Sequence, residues 1–204
     1  MANQVVSLET VPIIKILQQP SNPAWIAMAI ANLDTILLDH SHCERKAAGV
    51  AINLMFRYPA HQKLVRQLTA IAQEELSHFE QVNQWLEKRN IPLAPLNSPP
   101  YFSRLKSQIR HNEPKRLIDL LLVSALIEAR SHERLGLIAK HCPEPELAKF
   151  YQGLMASEAR HYGVYWLLAE EYSDRSTVEK RLVELGEYES SILATLYHEP
   201  RVHS

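Results

Sequence analysis

Residues 74–79 read Glu-Glu-Leu-Ser-His-Phe and residues 157–162 read Ser-Glu-Ala-Arg-His-Tyr, and these two stretches decide the fold. In each stretch a glutamate is followed three positions later by a histidine, giving the pairs Glu75 with His78 and Glu158 with His161. Residues three apart in an α-helix project from the same face within one turn. Each stretch therefore predicts a helix that presents one carboxylate and one imidazole side by side.

A further glutamate precedes each pair at nearly the same distance. The interval from Glu44 to Glu75 differs by a single position from the interval from Glu128 to Glu158, so the two halves of the chain superimpose with a nearly constant offset. Antiparallel helices joined by short loops bring residues at this separation to the same level of a bundle. The repeat therefore predicts that six side chains converge in the bundle centre: Glu44, Glu75, His78, Glu128, Glu158 and His161.

Small and apolar residues flank these six positions at helical spacing, which predicts that they are buried. Four buried carboxylates without a cation would repel one another and lose their hydration. A mixed set of carboxylate and imidazole ligands suits a pair of iron or manganese ions, so the repeat predicts a two-metal site. Glu133 is an alternative ligand to Glu128, but it lies closer to Glu158 than the repeat requires and is therefore less consistent with it.

Other polar residues near the ligand level are assigned simpler roles. Ordinary hydrogen bonding is expected of three histidines, with contact to a ligand residue or to the substrate as the alternative: His40, His42 and His132. Helix-surface or capping positions are expected of three aspartates: Asp34, Asp39 and Asp119. Neither a nucleophile triad nor a glycine-rich phosphate loop is evident in the sequence.

The composition favours an all-helical protein. The chain has 204 residues, of which 46% are hydrophobic and 22% charged, and only five glycines. It lacks the turn signals and alternating β-branched runs of a sheet protein. With two cysteines and no recognisable secretory signal, it is expected in the reducing cytoplasm. The longest apolar stretch, residues 117–127, is short of the roughly 20 residues of a membrane span, so no membrane partner is expected.

Proline and capping residues divide the chain into helices. Asn22-Pro23 is typical of a helix start, and five long helices are predicted over residues 23–57, 60–89, 112–141, 145–172 and 177–197. A short helix is predicted over 11–19. Two short connections flank a proline-rich crossover over 90–101, which is ferritin-like connectivity. We therefore expect one domain over 1–204: a ferritin-like four-helix bundle with a long crossover between helices two and three, and an additional C-terminal helix outside the core.

Positive charge is concentrated in residues 88–116. This segment, the crossover and the start of the third bundle helix, carries seven basic residues and one acid, so its net charge is +6 against −7 for the rest. Basic residues interleaved with aromatic ones are typical of surfaces that follow an RNA backbone and stack a base. The segment predicts RNA-binding residues: Tyr101, Phe102, Arg104, Lys106, Arg110, Lys115 and Arg116.

Four local sequences resemble those of the tRNA methylthio-isopentenyl-adenosine hydroxylases, MiaE. They are residues 44–47 (Glu-Arg-Lys-Ala), 74–79, 128–134 (Glu-Ala-Arg-Ser-His-Glu-Arg) and 157–162, and the likeness spans nearly the whole chain. The resemblance implies O₂-dependent hydroxylation of the isopentenyl group on the modified adenosine next to the anticodon. It implies two non-haem iron ions on the six ligands, a tRNA anticodon arm as partner, and electrons from a separate reductase.

Analogy with other di-iron bundles implies two further positions. Glu74 is expected to contact His161 and Ser157 to contact His78, because a ligating histidine usually donates its other N–H to an acceptor. The ligand set alone also fits a ferroxidase or iron-binding protein, or a manganese catalase-like peroxidase. The basic segment favours the RNA hydroxylase among these alternatives.

Overall fold

A computed structural model describes residues 16–204, and every element in that range is helical. Seven helices follow one another along the chain: α1 (Pro23–Ala31), α2 (Leu33–Arg57), α3 (Gln62–Lys88), α4 (Tyr101–Lys106), α5 (Lys115–His141), α6 (Pro145–Glu170) and α7 (Arg175–Leu193). Helices α2 and α3 form one antiparallel pair, α5 and α6 form the other, and α3 packs on α6. The predicted four-helix bundle with a crossover between its second and third helices is confirmed.

The first predicted helix is interrupted. It begins at Pro23 as expected, where the Asn22 side chain accepts a hydrogen bond from the amide of Ala24, but it breaks at Asn32, whose φ is −137°. The Asn32 side chain donates to the carbonyl of Met28 at 2.8 Å. Asparagine side chains compete with the backbone for hydrogen bonds in this way, which explains the break between α1 and α2.

The crossover is irregular up to Pro100, and α4 then follows where the sequence indicated only a loop. The short helix predicted over 11–19 falls partly outside the described residues, and residues 16–19 form a turn and a bend. Helix α7 was expected outside the core, but Val178, Leu182 and Leu185 pack into the larger apolar cluster. That expectation was wrong because α7 has an apolar face directed at α4, α5 and α6.

Two apolar clusters fill the bundle and leave a layer between them. Along α2, Leu37 belongs to one cluster and Ala51 to the other. Along α6, Leu154 belongs to the first and Tyr165 to the second. The six predicted ligands lie between the clusters, so the apolar packing that stabilises the bundle also keeps water away from this layer. No helix within residues 16–204 is long and apolar enough to cross a membrane.

Candidate metal centre

Ligand atoms of the six predicted residues converge in two overlapping groups. Every one of the six is at most 7% exposed, and the ligand atoms of each group lie within 4.8 Å of one another. One group consists of Glu44, Glu75, His78 and Glu158, and the other of Glu75, Glu128, Glu158 and His161. The structure thus brings all six side chains together as two sets of four, which share the carboxylates of Glu75 and Glu158.

Both histidines direct Nδ1 towards the carboxylates. His78 Nδ1 lies 3.3 Å from Glu75 and 3.6 Å from Glu44, and His161 Nδ1 lies 2.8 Å from Glu75. Each ring reaches the same carboxylate from a different helix, α3 or α6, which follows from the repeated Glu-x-x-His spacing. Nδ1 is therefore the atom that each ring offers to the cluster.

The outward Nε2 atoms have partners on the opposite helix. His161 Nε2 lies 2.8 Å from Oε2 of Glu74, and His78 Nε2 lies 3.2 Å from Oγ of Ser157. The Ser157 hydroxyl donates to the carbonyl of Leu154 at 2.7 Å, so its oxygen is left to accept from the imidazole. Both expected cross-helix contacts are present, and they hold the Nε2–H of each ring on the outer side. A role for them at a bound metal stays a prediction.

Burial and the neighbouring charges shift the pKa values of the clustered side chains. Burial, and then the neighbouring Glu128 and Glu75, raise the pKa of Glu158 well above its ordinary value. Burial and then Glu75 raise the pKa of Glu128 to about 8. Burial alone would lower the pKa of His78, but Glu44 and Glu75 raise it to about 10. The cluster therefore retains protons at neutral pH, and a bound metal pair would displace them.

Two atoms at the centre have no hydrogen-bond partner within the described chain. They are Oε1 of Glu75 and Nδ1 of His161, which are buried and lie 2.8 Å apart without hydrogen-bonding geometry. Buried polar atoms without a hydrogen-bond partner are unfavourable unless another group, such as a cation, satisfies them. Together with the carboxylate and imidazole composition, this arrangement fits two iron or manganese ions.

Comparison with known proteins gives the same assignment as the motifs. Residues 8–204 match the MiaE family, described as tRNA-(MS[2]IO[6]A)-hydroxylase. A tRNA 2-(methylsulfanyl)-N(6)-isopentenyladenosine(37) hydroxylase of Pseudomonas putida is 40% identical over 185 residues, which cover 91% of this chain and 90% of the relative. The chain belongs to the MiaE family. A Salmonella typhimurium hydroxylase of the same name is 30% identical over 242 residues, covering 95% of this chain and 89% of the relative.

A solved structure is similar over almost the same extent. It is described as a protein with aldehyde deformylating oxygenase activity from Synechococcus, and it is 45% identical with a TM-score of 0.91. The match covers 94% of this chain and 96% of the Synechococcus chain. The resemblance to MiaE read from the motifs is confirmed, and so is the ferritin-like fold.

Further side chains surround the six residues of the candidate metal centre, which are called the ligand layer below. His40 Nε2 lies 2.5 Å from Oε1 of Glu44, and the imidazole stacks on Tyr151 with 5.6 Å between ring centroids. Burial would raise the pKa of Glu44, but the contacts with His40 and His78 lower it below the ordinary value. His42 and His132 contact backbone carbonyls at 2.8 Å, as expected of ordinary hydrogen-bonding histidines.

Glu133 does not belong to the ligand layer. Its carboxylate pairs with Arg130 and accepts hydrogen bonds from the amide and hydroxyl of Ser21 at 2.7 Å each. The preference for Glu128 over Glu133 therefore agrees with the structure. Asp39 and Asp119 are not surface or capping charges as expected, since both are buried.

A cavity of about 80 Å³ lies beside the ligand layer. Four glutamates of the layer line it, together with residues from α2, α4 and α5 and from the segment 199–204. Val202 and His203 of this last segment form one wall, and the amide of Val202 donates to Asp39 at 2.7 Å. Sequence reasoning missed this wall, because no periodic pattern marks an irregular segment as part of a site.

The predicted RNA-binding residues have different surroundings in the structure. Tyr101 is 1% exposed and its hydroxyl donates to Glu189, so it presents no face to a base. Arg110 is paired with the buried Asp119 at 2.7 Å. The guanidinium of Arg104 lies 6.0 Å from the Tyr188 ring centroid. Lys115 is exposed.

The three remaining predicted RNA-binding residues lie together. Phe102, Lys106 and Arg116 line one groove, and the Phe102 ring also reaches the cavity beside the ligand layer. This group therefore combines one aromatic and two basic side chains, and RNA binding by the exposed residues of the segment stays a prediction. Within it, Phe102 is half-buried and Lys106 exposed.

Proposed function

We propose that this chain hydroxylates the isopentenyl group of the modified adenosine next to the anticodon in tRNA, with O₂ as cosubstrate. The observation that carries the proposal is the duplicated, buried ligand set, which opens onto a small cavity in a chain of the MiaE family. Two iron ions held by the six ligands would supply O₂ activation and the insertion of one oxygen atom into a carbon–hydrogen bond. We expect the reaction in the cytoplasm, where tRNA is found.

The side chains of the protein have three tasks in this proposal. The carboxylates and Nδ1 atoms supply the ligands, and Ser157 and Glu74 orient the two imidazoles through Nε2. The apolar clusters and the wall formed by Val202 and His203 limit the access of water. The cavity holds the alkyl group against the ligand layer. These tasks concern binding, orientation and exclusion of water, because the oxidising power belongs to the cofactor.

Electrons have to come from a separate protein in this proposal. Hydroxylation by O₂ consumes a pair of electrons in addition to those of the substrate. The chain has only two cysteines, Cys43 and Cys142, fewer than the four that usually ligate an iron–sulfur cluster. An electron-transfer protein is therefore the partner that we propose besides the tRNA anticodon arm.

Nucleoside mass analysis tests the function. With iron, an electron source and labelled O₂, tRNA that carries isopentenyl-adenosine should gain one labelled oxygen atom on the alkyl group. Glu128→Ala should abolish the product, because it removes a ligand, whereas Glu80→Ala on the exposed side of α3 should retain it. Unchanged nucleoside mass with iron-loaded protein under reducing, aerobic conditions would contradict the proposal.

A second candidate follows from the Synechococcus relative, which is 45% identical and described by its oxygenase activity on aldehydes. The apolar side chains of the cavity suit an aliphatic chain as well as an isopentenyl group. Incubation of the same iron-loaded protein with an aliphatic aldehyde separates the two candidates. Formate release without RNA hydroxylation would support the second candidate, and rapid turnover of iron or peroxide alone would support a ferroxidase or a catalase.

A further inference from the structure

An open groove continues outward from the cavity beside the ligand layer. It has a volume of about 550 Å³ and runs between α2, α4 and α5. The groove and the cavity share five lining residues: Lys46, Val50, Phe102, Ser124 and Ile127. The ligand layer is therefore connected to the surface at this side of the bundle.

Four basic side chains line this groove: Lys46, Arg57, Lys106 and Arg116. None of the residues that line it is an aspartate or glutamate. Within residues 16–204, none of Arg57, Lys106 and Arg116 is ion-paired with a carboxylate, in contrast to Arg89 and Arg110. An anionic ligand would meet unopposed positive charge here, at no cost of breaking an existing ion pair.

The floor of the groove is apolar. Ile109, Leu120 and Val123 line it, and Val50 is 43% exposed where the groove meets the cavity. The ring of Phe102 lies at the same junction, with Nζ of Lys46 5.2 Å from its centroid. A flat aromatic ring, an apolar floor and cations along the rim occur in one place.

We propose that this groove binds the nucleotides around the modified adenosine. In this arrangement Arg57, Lys106 and Arg116 contact RNA phosphates, while the isopentenyl group passes between Val50 and Phe102 into the cavity. The inference rests on the proposed function and adds the route by which the substrate reaches the ligands. Lys46 and Arg57 belong to α2, so the RNA surface extends well beyond the basic segment 88–116.

A single-stranded RNA segment with an alkylated base matches both properties of the groove. Phosphates require several cations spaced along a surface, and unpaired bases of RNA loops stack on aromatic side chains. A simple aliphatic chain would use the apolar floor but leave the cations without a partner. Charge complementarity therefore favours RNA over an uncharged lipid-like substrate.

Charge reversal in the groove tests the proposal. The variant Arg57→Glu/Lys106→Glu/Arg116→Glu is compared with Lys149→Glu, an exposed control on α6 near the opposite end of the bundle. The ligand is an anticodon stem-loop RNA that carries isopentenyl-adenosine, and its affinity is measured over a series of salt concentrations. Iron content and the melting temperature are also recorded for each protein. The iron content of the triple variant should be unchanged, because the substituted residues are remote from the ligand layer.

The triple variant should bind the RNA at least about tenfold more weakly than the wild type and the Lys149→Glu control. For this variant, the slope of log affinity against log salt concentration should become shallower by about 0.7 for each phosphate that it no longer neutralises. A second variant, Val50→Trp, should retain RNA affinity and iron content but lose hydroxylation, since the indole narrows the route to the ligands.

The possible results separate the groove from the function. If the wild type hydroxylates the RNA and the triple variant binds it with unchanged affinity and salt dependence, the groove proposal is overturned and the proposed function stands. If the wild type neither binds nor hydroxylates the RNA, both are overturned. Weaker binding by the triple variant with unchanged iron content, and absence of product in Val50→Trp, would support the route.

Discussion

Replacing Glu128 by glutamine should stabilise the metal-free protein while it weakens metal binding. The Glu128 carboxylate lies within 4.8 Å of Glu75, Glu158 and His161 in the second ligand group. At that distance and an effective dielectric constant of about 20, a pair of like charges costs about 3 kcal/mol. Glutamine retains the shape of the side chain and removes the charge, so the repulsion disappears without leaving a cavity.

The protonation of Glu128 sets an upper limit to the gain in folding stability of the Glu128→Gln variant. Burial and then Glu75 raise its pKa from 4.5 to about 8, so the folded metal-free protein takes up a proton here rather than bearing the full repulsion. One pKa unit corresponds to about 1.4 kcal/mol. Protonating Glu128 at neutral pH, starting from an ordinary pKa of 4.5, therefore costs the folded protein about 3 kcal/mol at most, and glutamine avoids this cost. We expect a gain of about 1–3 kcal/mol, or roughly 3–10 °C in melting temperature for a chain of this length.

Thermal unfolding with and without iron measures both effects. In the presence of a chelator, Glu128→Gln should melt above the wild type. Added ferrous iron under anaerobic conditions should raise the melting temperature of the wild type by more than that of the variant, because ligand binding stabilises only the folded state.

Glu133→Gln is the matched control for this experiment. Glu133 lies on the same helix and is also buried, but its carboxylate is paired with Arg130 instead of facing other carboxylates. Its replacement should destabilise the protein by about 1–3 kcal/mol, because a buried guanidinium loses a charged partner. A metal-free Glu128→Gln protein that melts below the wild type would refute the view that the ligand layer is electrostatically strained without a cation.

Two further predictions concern the contacts of the two histidines in this layer and the ion pairs of Asp119. Ser157→Ala and Glu74→Gln should each retain the fold but weaken iron affinity by about 10–100-fold in a metal titration. The reason is that the acceptors of the His78 and His161 N–H groups are removed or weakened. Unchanged affinity in both variants would contradict an orienting role. Asp119→Asn should lower the free energy of unfolding, measured in urea, by about 3 kcal/mol, since Arg110 and Arg181 both pair with this buried carboxylate. The control Asp34→Asn at the exposed surface should lower the free energy of unfolding by less than about 1 kcal/mol.

The ligand layer was predictable because its signals are local and repeated. A glutamate and a histidine three residues apart share a helix face whatever the rest of the chain does. The offset between the two halves then required that both faces lie at one level of the bundle. The cross-helix contacts of Glu74 and Ser157 were expected by analogy with other di-iron bundles, and each residue immediately precedes a ligand glutamate on its own helix.

The break at Asn32 and the burial of Asp119 were not predictable in the same way. At Asn32 a side chain and the backbone compete for one carbonyl, and the balance depends on how α1 and α2 pack. Asp119 is covered by α7, whose Arg181 is 62 residues away in sequence. Periodicity within one helix gives no information about such partners, because they are chosen by tertiary packing.

The basic segment 88–116 shows how the same limit affects a functional surface. A sum of charges along the chain counts Arg110 and Arg116 equally, yet one is paired with Asp119 and the other lines a groove without a carboxylate. The sum also omits Arg57, which α2 brings to the same groove from outside the segment. Affinity for a polyanion depends on the cations that are free of carboxylate partners and on their arrangement in space. In our proposal the RNA surface therefore consists of residues from three helices, of which the sequence indicated only part.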